Sequence, residues 1–216
     1  MGETGESSEF ELSGGALCLD FANTVGDRPR CREEKLGGYA DLLRWSRQAG
    51  TLTPAQQRRL ERLARDDPRG ARRLFRRAVA LRETIYRIFT RLAHDGTPAA
   101  EDLRSLNSAL PEALRRLEIR RREEGFDWRW GGSPEALDRP LWPVVRSAAE
   151  LLTSREASRV RECASETCSW LFIDRSRNHC RRWCDMTTCG NRAKARRHYR
   201  RRRRERTGET ASVSES

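Results

Sequence analysis

Two cysteine pairs with the same internal spacing constrain this chain more than any other feature. Cys163 and Cys168 form one C-x4-C pair, Cys184 and Cys189 form a second, and fifteen residues separate them. Five of the seven cysteines lie in this one short segment, and the total is odd. That pattern argues against a disulfide framework and for metal ligation. Four thiolates at paired spacing suit a tetrahedral zinc ion, with Cys163, Cys168, Cys184 and Cys189 as ligands of a single Zn²⁺. Four protein ligands leave no open position, so such an ion is structural and not catalytic. Cys180, beside His179 and four residues before Cys184, leaves a second register open, in which Cys180 or His179 replaces an outer cysteine. The symmetry of the pairs favours the first set. A segment this small buries little core of its own, so the metal has to supply folding energy. Trp170, Leu171, Phe172 and Trp183 are the expected mini-core around it.

The next constraint is charge. The net charge is +12, and residues 189–206 carry ten basic side chains against one acidic, a local +9. Charge gathered in one segment points to a polyanionic partner. A helix over residues 190–206 is about 25 Å long and has only Ala193, Ala195 and Tyr199 as apolar candidates. Such a helix is not held by burial, and Arg200 to Arg204 repel one another until phosphates neutralise them. The expectation is a helix firm beside the knot and frayed past Tyr199. Candidates for base contact are Asn191, Arg192, Lys194, Arg196 and Arg197, with Arg182 from the preceding loop. Arg200, Arg201, Arg203 and Arg204 supply phosphate attraction, which positions without specifying.

The remainder reads as a helical body. At 216 residues, 36% hydrophobic and 35% charged, the chain has room for one core of ordinary size plus a small appendage. Leu17 to Val25 carries apolar residues at helical period and ends at Gly26. Arg28 to Gly38 is a loop, and Tyr39 to Ala49 a short helix. Thr53-Pro54, Asp67-Pro68 and Thr97-Pro98 are three helix-start signals. The second opens a long helix with Leu74, Ala78, Leu81, Ile85, Phe89 and Leu92 on one stripe, and Pro111 interrupts the third. Residues 117–130 change to period two, giving a β-hairpin whose aromatic face (Phe126, Trp128, Trp130) is expected to cover the helical core. A break at 131–134 precedes a final helix from Leu137 to Leu152, kinked or restarted at Pro140 and Pro143. The fold class is mainly α: a helical N-terminal domain over 10–153 with a small β-hairpin, then a zinc-binding domain over 160–206 ending in the basic helix. Residues 1–9 and 207–216 are expected to be disordered tails. Asp20 and Asn23, with Arg28, are candidates for a small-molecule pocket, against a structural reading as buried, satisfied polar groups.

The segment Cys163…Cys168…Leu171-Phe172-Ile173-Asp174…Ser176…Arg181-Arg182-Trp183-Cys184…Cys189-Gly190-Asn191-Arg192…Lys194 resembles the CGNR zinc finger. The body resembles the ABATE domain through Leu19-Asp20-Phe21-Ala22-Asn23-Thr24 and Leu141-Trp142-Pro143-Val144. Together these resemblances span nearly the whole chain. They imply a stress-associated bacterial transcription regulator, with the body as sensor of an unknown small-molecule effector and the finger as DNA binder. Cys180 lies outside the CGNR pattern, which supports leaving it out of the ligand set. A homodimer on a palindromic site fits the DNA reading. The alternative is an RNA- or ribosome-associated protein that uses the same basic module. An enzyme is the least supported class, because the only histidines are His94, His179 and His198 and there is no nucleophile motif or phosphate-binding glycine loop. No apolar run reaches bilayer length and the first residues are acidic, so the expected setting is the cytoplasm, near the nucleoid.

Overall fold

The computed structural model describes residues 10–132 and 136–207. The expected disordered ends lie outside these residues, apart from Thr207, and so does most of the break near residue 133. Chain order is α1 (Leu17–Ala22), β1 (Val25–Gly26), β2 (Glu33–Glu34), α2 (Tyr39–Gln48), α3 (Pro54–Asp66), α4 (Pro68–Ala93) and α5 (Ala100–Leu114). The hairpin β3 (Leu117–Arg121) and β4 (Phe126–Trp130) follows, then α6 (Leu141–Thr153), β5 (Val160–Glu162), β6 (Leu171–Ile173) and α7 (Asn191–Thr207).

Two of the three proline starts form as expected. Thr53 caps α3 in a reciprocal box with Gln56, and Asp67 Oδ1 accepts the Gly70 N–H at 2.8 Å at the head of α4. Each satisfies a backbone donor that has no partner inside the helix. The third start is displaced: α5 opens at Ala100, with Ala99 in extended conformation and no side-chain cap. Nor does Pro111 break α5, which runs on to Leu114. A proline this close to the end removes one late hydrogen bond and leaves the earlier turns intact. The first helix stops at Ala22, and Val25 enters a two-residue pairing with Glu34. The final helix starts at Leu141, so Pro140 precedes it and Pro143 sits in its first turn.

The core is built where α1, α2, α4 and α6 meet, around Phe21, Trp45, Ile85, Phe89 and Val144. A charged residue also lies inside it. Arg82, mid-way along α4, is fully buried and binds both Glu34 oxygens at 2.6 Å, with Thr24 Oγ1 at 3.2 Å. Such a pair is tolerated because each guanidinium nitrogen finds an acceptor, Nε that of Glu83 at 3.0 Å. Periodicity offered no sign of it, since a helix wheel cannot tell which arginine the incoming β2 loop will cover.

The hairpin departs from expectation. Its register pairs Leu117 with Trp130, Ile119 with Trp128 and Arg121 with Phe126. Only Trp130 packs inward, 6.1 Å from Trp142. Trp128 is 53% and Phe126 74% exposed. Period two places the rings on one face, but the outer two stay largely exposed, Trp128 meeting the Arg146 guanidinium of α6 at 5.4 Å from its ring.

The body and the cysteine segment share a core. In β6 the side chains alternate: Leu171 and Ile173, with Val160 of β5, join the helical core, whereas Trp170 and Phe172 turn to the cysteines. Leu171 is thus a body residue and not part of the knot's mini-core, because successive strand side chains must face opposite ways.

Candidate metal centre and nucleic-acid interface

Backbone pairing explains how the segment is held. Cys163 N–H bonds the Trp170 carbonyl and Asp174 N–H bonds the Arg159 carbonyl. In an antiparallel ladder this turns the Leu171 and Ile173 backbone groups away from β5, and the body satisfies them. Ile173 N–H donates to the Gly14 carbonyl at 2.9 Å. The Asn23 side chain receives the Leu171 N–H on Oδ1 and donates Nδ2–H to the Leu171 carbonyl, both at 2.9 Å and both buried. Asn23 therefore stands in for a third strand. Gly14 is required at its place because a Cβ there would lie 2.8 Å from the Leu19 Cβ. Trp170 Nε1–H adds a bond to the Val25 carbonyl at 2.9 Å.

Behind this clamp the four sulfur atoms of Cys163, Cys168, Cys184 and Cys189 lie within 4.8 Å of one another, all buried and none in a disulfide. Two Sγ–Sγ separations are 3.6 Å (168–184) and 3.7 Å (184–189). A tetrahedron with Zn–S bonds of about 2.3 Å has edges of about 3.8 Å, so the cluster has the dimensions of a thiolate zinc site. The thiols also strain against one another. Contacts with Cys168 and Cys184 hold the Cys163 thiol low, while contact with Cys163 and burial push Cys184 and Cys168 up and burial raises Cys189. One thiolate forms at its neighbours' expense, a conflict that a divalent cation removes. The four cysteines fit one structural zinc ion. Cys180 is exposed and outside the cluster.

Asp185 shapes the exit. Its Oδ1 accepts the Thr187 and Thr188 hydroxyls, each at 2.6 Å, and the Thr188 N–H at 2.7 Å, which draws its carboxyl down to about 2. The capped turn Met186–Gly190 is wider than an α-turn and feeds α7 directly. Asn191 Nδ2–H closes it onto the Thr187 carbonyl at 2.9 Å. The sequence had no capping signal read at Asp185, although an Asp three residues before Thr188 is one. On the other side of the knot, Asp174 accepts N–H groups from Ser176 and Arg181 at 2.9 Å, which outweigh burial and hold its carboxyl low. Arg181 stacks over Phe172 at 4.6 Å and Arg182 over Trp183 at 5.5 Å.

The basic helix is continuous through Tyr199 to Thr207. Its phase, open from sequence, is set by the first knuckle. Arg196 donates to Ser165 Oγ and Arg200 to Glu166, each at 3.1 Å. Ala193, Arg196, Arg197 and Arg200 line a groove against Ala164, Ser165 and Glu166. At about 100° per residue, Lys194, His198 and Arg202 then lie on the outward side, flanked by Tyr199, which is 73% exposed. Sequence reasoning missed His198, Tyr199 and Arg202, since only the knuckle contact fixes which residues face out. Arg192 lines a cleft between the knot and the β1–β2 ribbon, and Lys194, Arg197 and Arg203 are exposed. The side chains of Arg201 and Arg204 lie outside the described residues.

Among the described residues the three candidate pocket residues each make structural contacts. Asn23 clamps β6. Asp20 Oδ1 accepts the Gly14 N–H at 2.8 Å, and burial raises its carboxyl to about 6. Arg28 donates to Glu83 at 2.7 Å and to the Ala22 carbonyl at 3.0 Å, and stacks over Tyr86.

A helical body clamped onto a four-cysteine knot that launches an arginine-rich helix defines a zinc-finger protein with an N-terminal helical domain. The comparison with protein families agrees. The ABATE model, described as "Putative stress-induced transcription regulator", matches residues 15–155, and the CGNR zinc finger model matches residues 159–202. The chain belongs to the ABATE family and carries a CGNR zinc finger. No curated protein matches it. Among the described residues no helix is long and apolar enough to cross a membrane.

Proposed function

We propose that this protein is a DNA-binding transcription regulator of the cytoplasm, in which the zinc knot presents α7 to the major groove and the helical body senses a small molecule. The observation that carries the reading is the orientation of α7. One face is tied to the first knuckle through Arg196 and Arg200, and the opposite face offers Lys194, His198 and Arg202 beyond a closed metal site. A helix so held can lay its outward residues against base edges. Arg182, Arg192, Arg197 and the distal arginines, including Arg201, Arg203 and Arg204, hold phosphates. Asn191 spends its amide on the turn below, so it positions the helix.

Coupling has a physical route. Tyr86 of α4 and His94, which caps its C-terminus, bond the Glu162 carboxylate at 3.3 and 2.7 Å, one residue before the ligand Cys163, and Arg30 reaches Glu166 at 3.6 Å. A shift of α4 therefore reaches the knot without crossing a flexible linker. Crosslinking of the tagged protein across the genome, reading DNA and RNA together, tests the polymer class. Discrete DNA sites with a shared, palindromic motif are expected if a homodimer binds. Recovery of RNA alone refutes the reading and favours a ribosome-associated role.

A further inference from the structure

A cavity of about 250 Å³ lies between α4, α5 and the start of α6. Its inner wall is apolar: Leu81, Ala113, Leu141, Trp142 and Val145, all but Leu81 buried. For scale, a dry protein cavity of about 150 Å³ takes up benzene, so this one holds a ring or branched chain plus a small head group. The mouth carries three charges. Glu112 is already neutralised by Arg115 at 2.5 Å and Arg116 at 3.4 Å. Arg77 and Asp138 line the same opening, and among the described residues neither is bonded to the other or to any other charged side chain.

From this arrangement we infer that the cavity is the binding site for a compact amphipathic zwitterion, an α-amino acid with an aromatic or branched apolar side chain. The inner wall takes the side chain, Arg77 takes the carboxylate and Asp138 the ammonium. An apolar wall with a charge of each sign at its mouth, neither paired among the described residues, complements a zwitterion better than a neutral, purely anionic or purely cationic ligand, each of which leaves a side chain unmatched. The position in the fold gives the site a consequence. Arg77, Leu81 and Thr84 face the cavity from the same helix whose Tyr86, with His94 just past its end, holds Glu162. The binding site stands on the cavity alone, and only its effect on DNA rests on the sensory reading above.

Calorimetric titration of the zinc-loaded full chain with L-phenylalanine and L-leucine tests the site. Saturable binding is expected. 3-Phenylpropionate, which lacks the amine, and phenethylamine, which lacks the carboxylate, should each bind about tenfold or more weakly than L-phenylalanine. Arg77→Gln should weaken L-phenylalanine but leave phenethylamine unaltered, and Asp138→Asn should weaken L-phenylalanine but leave 3-phenylpropionate unaltered. Both positions lie at the mouth, so these variants should fold, as far-UV circular dichroism would verify. Ser108→Trp plugs the exposed mouth and should abolish binding. Absence of saturable binding by both amino acids overturns the inference, as does undiminished binding in folded Ser108→Trp or equal affinity for all four compounds. If L-phenylalanine binds yet leaves DNA affinity unchanged, the site stands and the sensory coupling falls.

Discussion

Replacing Asn23 by alanine should be among the most costly single changes in this protein. The amide satisfies two buried backbone groups, the Leu171 N–H and carbonyl, each at 2.9 Å. Neither has another partner, because β5 pairs with the other edge of β6. Leaving a buried donor or acceptor unmade costs about 1–3 kcal/mol, so the pair amounts to about 2–6 kcal/mol. That is a large share of the roughly 5–15 kcal/mol typical of a folded domain. At about 2–4 °C per kcal/mol for a chain of this size, the zinc-loaded variant should melt about 4–24 °C lower by calorimetry. The loss should also reach the metal, since Leu171 lies three residues from Cys168, and zinc should transfer faster to a colorimetric chelator. Asn23→Asp should fare little better: it keeps an acceptor for the Leu171 N–H but sets a carboxylate against the Leu171 carbonyl. A melting point within 2 °C of the parent, with unchanged zinc retention, would refute the view that this one side chain joins the body to the finger.

The metal centre makes its own demand: purified protein should carry one zinc by elemental analysis, and Cys189→Ser or Cys184→Ser should lose it together with DNA binding. A folded, metal-free protein that still binds DNA would contradict the role given to the knot. DNA affinity measured by fluorescence anisotropy should fall steeply with salt, and a chain shortened to remove residues 200–206 should show a shallower slope, each lost phosphate contact reducing it by about 0.9. His198→Ala should change sequence preference with little change in the salt slope, whereas Arg203→Ala should lower the slope and leave preference intact. Asp20, with its carboxyl raised by burial to about 6, binds a proton more tightly folded than unfolded. Its contribution is therefore greatest below the ordinary value of 3.8 and is lost as pH rises through about 6. Asp20→Asn keeps an acceptor for the Gly14 N–H, so denaturant melts should show it more stable than the parent by about 1–3 kcal/mol at pH 7.5, the gap closing toward pH 4.

Local chemistry was legible wherever the signal and its partner lie a few residues apart. The caps at Thr53 and Asp67, the long stripe of α4, the period-two hairpin and the paired cysteines all read directly, because helix, strand and metal-ligand spacing are written in near neighbours. The concentration of charge in residues 189–206 was equally plain. What escaped depends on which distant surface arrives at a given face. The phase of α7 is fixed by Ser165 and Glu166, more than thirty residues upstream, so the outward positions of His198 and Arg202 followed only from the folded chain. Burial of Arg82 required the β2 loop to bring Glu34 across α4. The exposure of Phe126 and Trp128 depended on what the rest of the fold brings against the hairpin. Asn23 was visible as a polar residue in an apolar helix, yet its partner lies 148 residues away in sequence. The paired cysteines of themselves determined that a metal ties this segment together. Only the tertiary structure decided that the segment is also the edge of the helical body, because the unpaired backbone of β6 has to find its acceptors and donors across the fold.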